Sequence, residues 1–196
     1  MRCLAIGDIH GCINSLDALL SAVSPRADDR IITLGDYVNR GPDSRAVLDR
    51  LIDLSKHFAL ISLMGNHEQM MLEARDDAEK LAEFLRNGGD RTLASYAGDG
   101  KAGALNDVPE SHWKFVESCR DWYEDSTHFF VHANAYPDYP LEEQPVYMLR
   151  WERFENPAPH ESGKIMICGH TPQKTGRPKI LATRSASTPV PTAADG

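Results

Sequence analysis

Residues 31–41 read Ile-Ile-Thr-Leu-Gly-Asp-Tyr-Val-Asn-Arg-Gly, in which an apolar run leads directly into a glycine, a carboxylate and an arginine. Four other runs have the same order, with apolar residues first and metal-binding side chains directly after them, at residues 3–11, 60–68, 129–133 and 165–171. In open α/β sheets, ligands bind where the carboxyl ends of the strands stop. The repeated pattern therefore predicts an α/β fold in which five strand ends meet at one pocket.

The predicted pocket contains six oxygen or nitrogen donors that suit a divalent metal: Asp8, His10, Asp36, Asn66, His132 and His170. Asp8 and His10 are two residues apart on an extended segment, so both side chains can point into the same cavity. Asp36 follows a neighbouring strand, where its carboxylate could bridge two cations. A single Gly-Asp pair is more often a turn or a helix cap, but chance does not account for the whole set. Two cations about 4 Å apart make a nucleophilic hydroxide at neutral pH, so the set indicates a two-metal hydrolase.

Three further residues beside these donors suit phosphoryl transfer. Arg40 lies four residues after Asp36, close enough to hold phosphoryl oxygens with its planar guanidinium, although a surface salt bridge is the alternative. His67 follows Asn66, points to the other side of the chain and is a candidate for protonating the leaving oxygen. Glu68 is interpreted as orienting the loop or placing negative charge at a helix N-terminus.

The composition is that of a globular protein with one domain, or one domain with a small elaboration, because 196 residues with 41% apolar and 26% charged side chains can bury a core. The net charge of −8 and the lack of a basic stretch argue against nucleic-acid binding. The cysteines have no disulfide spacing, which favours a reducing compartment, and Cys3 and Cys168 are predicted to be core residues. The first strand starts at residue 2 and no apolar run has membrane-spanning length, so we expect a cytoplasmic protein without membrane contact.

Hydrophobic periodicity predicts alternating strands and helices in the first half of the chain, with parallel pairing of the strands. It further predicts a long helix over about residues 67–86 and another over about 109–123. Glycines interrupt residues 87–108, which are interpreted as a loop or a short excursion at the rim of the pocket. A short helix over 146–151 lies within a proline-rich stretch.

The blocks at residues 7–11, 35–41 and 65–68 resemble the GDxHG, GDxVxRG and GNHE signatures of the metal-dependent phosphoprotein phosphatases, within the calcineurin-like metallophosphoesterases. The closest likeness is to the small bacterial and phage-type serine/threonine phosphatases, over about residues 2–180. The resemblance implies a four-layer α/β/β/α sandwich with two mixed sheets. It also implies two divalent ions, with manganese first and Fe, Zn, Co and Ni as alternatives, and a phosphorylated protein or small phosphoester as substrate.

The resemblance also assigns roles to individual residues. It gives one metal ion to Asp8, His10 and Asp36, and the other to Asp36, Asn66, His132 and His170. It gives phosphate binding to Arg40, Asn66 and Arg153, with Arg150, one turn away, as the alternative to Arg153. It makes His67 the general acid, and it gives no indication of the oligomeric state.

Asn39 is the first departure from the family pattern, because the second block usually carries an aspartate there. In the family, that carboxylate partners the histidine matched by His67 and favours its imidazolium form, whereas a neutral amide gives up most of this interaction. Asn39 therefore counts among the catalytic residues. We expect slow turnover of poor leaving groups such as phosphoserine, with less loss on aryl phosphates.

The second departure is at the end of the chain, where the family continues with further strands. Residues 182–196 contain almost no large apolar side chains, so we expect a phosphoesterase domain over residues 1–181 and a disordered tail that lacks the family's C-terminal strands. A frameshift near Leu181 is one hypothesis for this tail, and the coding DNA would decide it.

Two other functions compete with a phosphomonoester hydrolase. A dinucleotide polyphosphate hydrolase of the diadenosine tetraphosphatase type would use the same metals, although those enzymes more often carry aspartate at the position of Glu68. A degenerate homologue that binds phosphate without catalysis would account for Asn39 and the tail, but not for the complete donor set.

Overall fold

The computed structural model describes residues 2–97, 101–155 and 157–173 of the chain, and within them six strands form two three-stranded sheets. The strands are β1 (Cys3–Ile6), β2 (Arg30–Thr33), β3 (Ala59–Ser62), β4 (Trp122–Glu124), β5 (His128–Val131) and β6 (Ile165–Ile167). The first sheet has the order β1-β2-β3 and is parallel throughout. In the second, β4-β5-β6, β5 is antiparallel to β4 and parallel to β6. The α/β class with two sheets is thus confirmed, while in the described part of the chain only the second sheet is mixed.

In the described ranges, seven α-helices connect and cover these sheets: α1 (Ile13–Val23), α2 (Ser44–His57), α3 (Asn66–Glu73), α4 (Ala78–Phe84), α5 (Asp90–Tyr96), α6 (Glu110–Glu117) and α7 (Val146–Arg150). Asp43 begins α2 by accepting a hydrogen bond from the backbone N–H of Ala46, as a capping aspartate does. One face of α2 is buried, on the three- and four-residue spacing expected for a helix that packs on a sheet.

Three apolar clusters set the order of the layers. Ile31 of β2 packs with the helices α1, α2 and α6, whereas its neighbour Ile32 belongs to a cluster with Leu63 and with Phe130 of the second sheet. Phe129, adjacent to Phe130, packs on the far side of the second sheet with residues around α7. Successive residues of a strand point to opposite faces, so these clusters order the layers as helix, sheet, sheet and helix.

The helix predictions for residues 67–123 are wrong in three places. The predicted helix over 67–86 is two helices, because the chain turns after α3 and Asp77 starts α4 by accepting the N–H of Glu79. The segment over 87–108, interpreted as a loop or a short excursion, contains the helix α5. The predicted helix over 109–123 ends at Glu117, and the chain then forms β4. Tyr123 of β4 pairs with Phe130 of β5, a long-range contact that overrides the local helical pattern.

Cysteine burial also differs from the prediction. Cys3 is exposed at the start of β1, which is an edge strand of the first sheet in the described part of the chain. Cys168 is half-buried and packs against the far-side cluster. The predicted tail over residues 182–196 lies outside the described residues. None of the helices in the described ranges is both long enough and apolar enough to cross a membrane.

Candidate metal centre and active site

The loops that follow five strands, β1, β2, β3, β5 and β6, bring the predicted donors together. Asp36 follows β2 in a left-handed conformation with φ of 54°, and the glycine before it has φ of 102°. A Cβ at Gly35 would lie 2.7 Å from the backbone nitrogen of Gly65, so only glycine allows the loops after β2 and β3 to approach this closely. Asn66 then begins α3, and His132 and His170 follow β5 and β6.

His132, His170 and Asn66 form one donor group. The Nδ1 atom of His132 lies 2.7 Å from the carbonyl oxygen of Leu34, and Nε2 of His170 lies 3.0 Å from that of Trp151. A carbonyl oxygen only accepts, so these ring nitrogens carry the hydrogens. Burial lowers the pKa of both histidines and favours the neutral rings. In each ring the other nitrogen therefore carries no hydrogen and has a free lone pair. Those nitrogens are 3.1 Å apart, and each is 3.1 Å from Oδ1 of Asn66, an arrangement that suits a cation.

Asp36 connects this group to a second one. Its Oδ1 lies 3.4 Å from Nε2 of His132, while its Oδ2 lies 3.5 Å from Nε2 of His10 and 3.9 Å from Nε2 of His67. His10 is oriented like the other histidines, because its Nδ1 lies 2.9 Å from the carbonyl oxygen of Val38. One carboxylate thus faces both groups, Asp36–His132–His170 and His10–Asp36–His67, in each of which the donor atoms lie within 4.8 Å of one another.

Asp8 lies outside both groups. Asp8 is exposed, and its carboxylate accepts the backbone N–H of His170 at 3.0 Å. Its charge nevertheless reaches Asp36, because burial, together with the charge of Asp8, raises the pKa of Asp36 to about 8. Within the described residues, the group around His10 and Asp36 therefore contains His67 and not Asp8.

Glu68 is buried and organises the loops that carry the donors. Its Oε1 accepts the backbone N–H groups of Tyr37 and Val38, and its Oε2 accepts those of Asp36 and Gly65. Burial and the neighbouring Asp36 carboxylate raise the pKa of Glu68 to about 7. The side chain thus ties the loop after β2 to the N-terminus of α3, in agreement with the orienting role expected from the sequence.

The guanidinium of Arg40 lies against the two histidines of the group His10–Asp36–His67. Its Nη1 is 2.9 Å from Nε2 of His10, and its Nη2 is 3.0 Å from Nε2 of His67. The other ring nitrogen of His67, Nδ1, lies 2.8 Å from the amide nitrogen of Asn39. Burial first, and then the charges of His10 and Arg40, lower the pKa of His67 to about 3. A neutral amide beside Nδ1 does nothing to offset this loss of basicity.

The two candidate arginines after α7 have different surroundings. Arg150 donates to Asp121 at 2.9 Å and to Oε1 of Gln69 at 3.3 Å, so its guanidinium is held by structural partners. Arg153 is exposed, and its charge contributes to the lowered pKa of His170. Arg153 is thus the more exposed of the two, and its role in phosphate binding stays a prediction.

Thr92 of α5 is a site neighbour that the sequence reasoning missed. It is fully buried, and its hydroxyl lies 2.8 Å from both the backbone nitrogen and the side-chain oxygen of Asn39. The local sequence indicates α5 only weakly, because Gly88 and Gly89 are typical of a loop. The chain instead forms a π-turn (Leu85–Gly89) and then α5. The contact joins residues 53 positions apart, and no local pattern reports it.

Two proteins are similar to this chain in sequence, and a third is similar in structure. Serine/threonine-protein phosphatase 1 of Salmonella typhimurium is 34% identical over 139 residues, which are 69% of this chain and 58% of that protein. A symmetrical bis(5'-nucleosyl)-tetraphosphatase of Pseudomonas fluorescens is 39% identical over 82 residues, which are 41% of this chain and 28% of that protein. A metallophosphoesterase from Sphaerobacter thermophilus has the same fold, with a TM-score of 0.51 and 22% identity over 79% of this chain and 51% of its own. The chain thus spans less than two thirds of the length of these relatives.

The family assignment rests on a longer match. The family model described as calcineurin-like phosphoesterase matches residues 1–183, a range that includes every strand end and every donor described above. Together with two facing sheets whose strand ends carry histidine, carboxylate and amide donors, this match shows that the chain belongs to the calcineurin-like phosphoesterase family.

Proposed function

We propose that the protein is a metal-dependent phosphomonoester hydrolase of the serine/threonine phosphatase type, formed by residues 1–181. The observation that carries the proposal is the shared carboxylate of Asp36, whose two oxygens face two donor groups with the guanidinium of Arg40 beside them. A guanidinium group next to two cation sites is suited to binding the oxygens of a phosphoryl group. The longer match to the Salmonella phosphatase, 69% of this chain against 41% for the tetraphosphatase, supports this substrate class.

The chemistry of the donors fits two divalent ions. Bare imidazole nitrogens, an amide oxygen and carboxylates suit manganese, iron and zinc, and we propose manganese as the first metal to test. One ion would be held by Asp8, His10 and Asp36, and the other by Asp36, Asn66, His132 and His170. When bound, two such ions would lower the pKa of a water molecule and neutralise phosphoryl oxygens. His10 can use its Nε2 lone pair for a metal only after Arg40 releases it.

The chain's own residues would bind and orient the substrate. Arg40 and Arg153 would bind phosphoryl oxygens, and Asn66 would contact them from the start of α3. His67 faces the same space through Nε2 and is the candidate for delivering a proton to the leaving oxygen. With an amide at Asn39 and a pKa of about 3, His67 is mostly unprotonated near neutral pH, which favours substrates whose leaving groups need no proton.

The proposal is tested by manganese-dependent hydrolysis of p-nitrophenyl phosphate and of a phosphoserine peptide. We expect Asp36→Asn to abolish the activity and to lower the amount of bound manganese. Asp53→Asn is the matched control, because Asp53 forms ion pairs on the exposed face of α2 and changes the charge equally. An active Asp36→Asn variant, or a wild-type protein that binds phosphate without turnover, would contradict the proposal, and the latter would indicate a degenerate phosphate-binding homologue.

A dinucleotide polyphosphate hydrolase is the second candidate, favoured by the tetraphosphatase relatives. Both activities would use the same donor groups and would differ in the leaving group. Turnover of diadenosine tetraphosphate, measured beside that of the phosphopeptide at equal enzyme and manganese concentrations, separates them. A higher kcat/KM on the dinucleotide would replace the phosphatase assignment.

A further inference from the structure

The loop that carries Arg40 has an unfavourable backbone conformation. Asn39 and Arg40 are consecutive residues with φ of 70° and 68°, in the left-handed region. Asparagine tolerates this region, but arginine has a Cβ that meets the following carbonyl there. Two such residues in a row persist only where the surrounding structure holds them, and such strain concentrates at functional sites.

Thr92 of α5 holds the first of the two residues. Its hydroxyl accepts the backbone N–H of Asn39 at 2.8 Å and donates to the side-chain oxygen of Asn39 at 2.8 Å. Ser44, at the start of α2, completes the cluster, since its hydroxyl lies 3.0 Å from that of Thr92 and 3.2 Å from the backbone nitrogen of Asn39. All three residues are fully buried, so these hydrogen bonds do not compete with bulk water.

The π-turn before α5 holds the second residue. The backbone N–H of Arg40 donates to the carbonyl oxygen of Gly88 at 3.4 Å. Gly88 itself has φ of 93°, and a Cβ there would lie 2.7 Å from the nitrogen of Arg40. Residues 88–92 therefore contact Asn39 and Arg40 through the backbone of Gly88 and the hydroxyl of Thr92. No residue of α5 belongs to either donor group.

We infer that Thr92 is a positioning residue, which holds the strained Asn39–Arg40 backbone so that the guanidinium of Arg40 lies beside His10 and His67, where the substrate phosphate binds. The inference rests on the proposed function, since it assigns Arg40 to phosphate. A change at Thr92 should therefore affect phosphate binding and metal binding differently. Loss of the Thr92 hydroxyl weakens phosphate binding, while Asp36, whose loop is held by Glu68, and the histidines held by backbone carbonyls (His10, His132 and His170) keep their metal affinity.

The test compares Thr92→Val, which keeps the shape and removes the hydroxyl, with Thr92→Ser, which keeps the hydroxyl. We expect Thr92→Val to raise KM for p-nitrophenyl phosphate and the inhibition constant of inorganic phosphate about tenfold, because a buried N–H and an amide oxygen lose their partner. Bound manganese stays unchanged, and Thr92→Ser restores most of the phosphate affinity. In the metal-free protein, amide hydrogen exchange over residues 38–41 becomes faster in Thr92→Val.

Tyr96→Phe is the matched control on the same helix. It removes a buried hydroxyl that lies 2.8 Å from Nδ1 of His112, at the opposite end of α5 from the arginine loop. A purely structural role of Thr92 predicts that both variants lower stability and change KM equally. Our inference predicts that Tyr96→Phe lowers stability without a change in KM or in the exchange of residues 38–41.

The outcomes separate this inference from the proposed function. Unchanged KM, phosphate inhibition and amide exchange in Thr92→Val would overturn it, and so would an equal effect of Tyr96→Phe. If the wild-type protein has no hydrolytic activity, the proposed function fails, and calorimetric binding of inorganic phosphate with the amide exchange still decides the role of Thr92. Thr92→Ala replaces Thr92→Val if the valine variant does not fold.

Discussion

Replacing Asn39 by aspartate should restore proton donation by His67. The amide nitrogen of Asn39 lies 2.8 Å from Nδ1 of His67, so a carboxylate oxygen at that place would face the ring directly. At an effective dielectric constant of about 20, an ion pair at this distance is worth roughly 6 kcal/mol. Asn39 is fully buried, so desolvation of the new carboxylate offsets much of that attraction.

The net effect of the new carboxylate is to raise the pKa of His67, which is about 3 in this structure. A neighbouring opposite charge typically shifts a pKa by about 1–3 units toward the charged form. Each unit raises the fraction of imidazolium near neutral pH about tenfold. The rate on a phosphoserine peptide should therefore rise by about tenfold to a thousandfold if leaving-group protonation limits it, whereas the rate on p-nitrophenyl phosphate should change little.

The assay is kcat/KM of wild type and Asn39→Asp on both substrates over a range of pH, with bound manganese and unfolding measured in parallel. Asn39→Asp in a His67→Ala background is the control, because without the imidazole the new carboxylate has no proton to hold. The reasoning is refuted if the folded, metal-loaded Asn39→Asp protein shows the wild-type rate on the phosphopeptide. A rise of the same size in the His67→Ala background would also refute it.

Three further predictions test other parts of the structure. Glu68→Gln should lower the free energy of unfolding by about 2–4 kcal/mol in urea denaturation, because the new amide turns donors toward two backbone N–H groups; a change near zero would contradict the role of Glu68. Asp29→Asn should lower stability at neutral pH, since hydrogen bonds from Arg2 hold the pKa of Asp29 well below its usual range. Asp29 stabilises the fold above its unfolded pKa of about 3.9 and loses this effect as pH falls through the folded pKa. The thermal melting curves of wild type and Asp29→Asn should therefore converge in acid. Arg153→Ala should raise KM for phosphoesters several-fold with unchanged stability. Arg150→Ala should lower stability, because it breaks a part-buried ion pair with Asp121. The reverse result in melting and kinetics would assign phosphate binding to Arg150 and the structural role to Arg153.

The donors of the metal centre were predictable because each follows an apolar run directly. A strand end is a local feature, and the carboxyl ends of parallel strands lie on one edge, so Asp36 and Asn66 had to approach each other once β2 and β3 paired, and His132 and His170 once β5 and β6 paired. The packing of the two sheets then brings these two pairs together, and the four-layer order was expected from the family resemblance alone. Segment boundaries after residue 73 were not predictable in this way, because Tyr123 and its neighbours take strand geometry only through their pairing with β5.

The sequence by itself thus determined the family, the identity of most donors and the sites of the strand ends, since these are written in short, contiguous patterns. The tertiary structure decided which nitrogen of each histidine faces the centre, because the carbonyl oxygens of Leu34, Val38 and Trp151 select it. It also decided that α5 supports the arginine loop through Thr92. These are hydrogen bonds between residues that are remote in the chain, and their free energy depends on the distance and burial that folding creates, which no local pattern of residues contains.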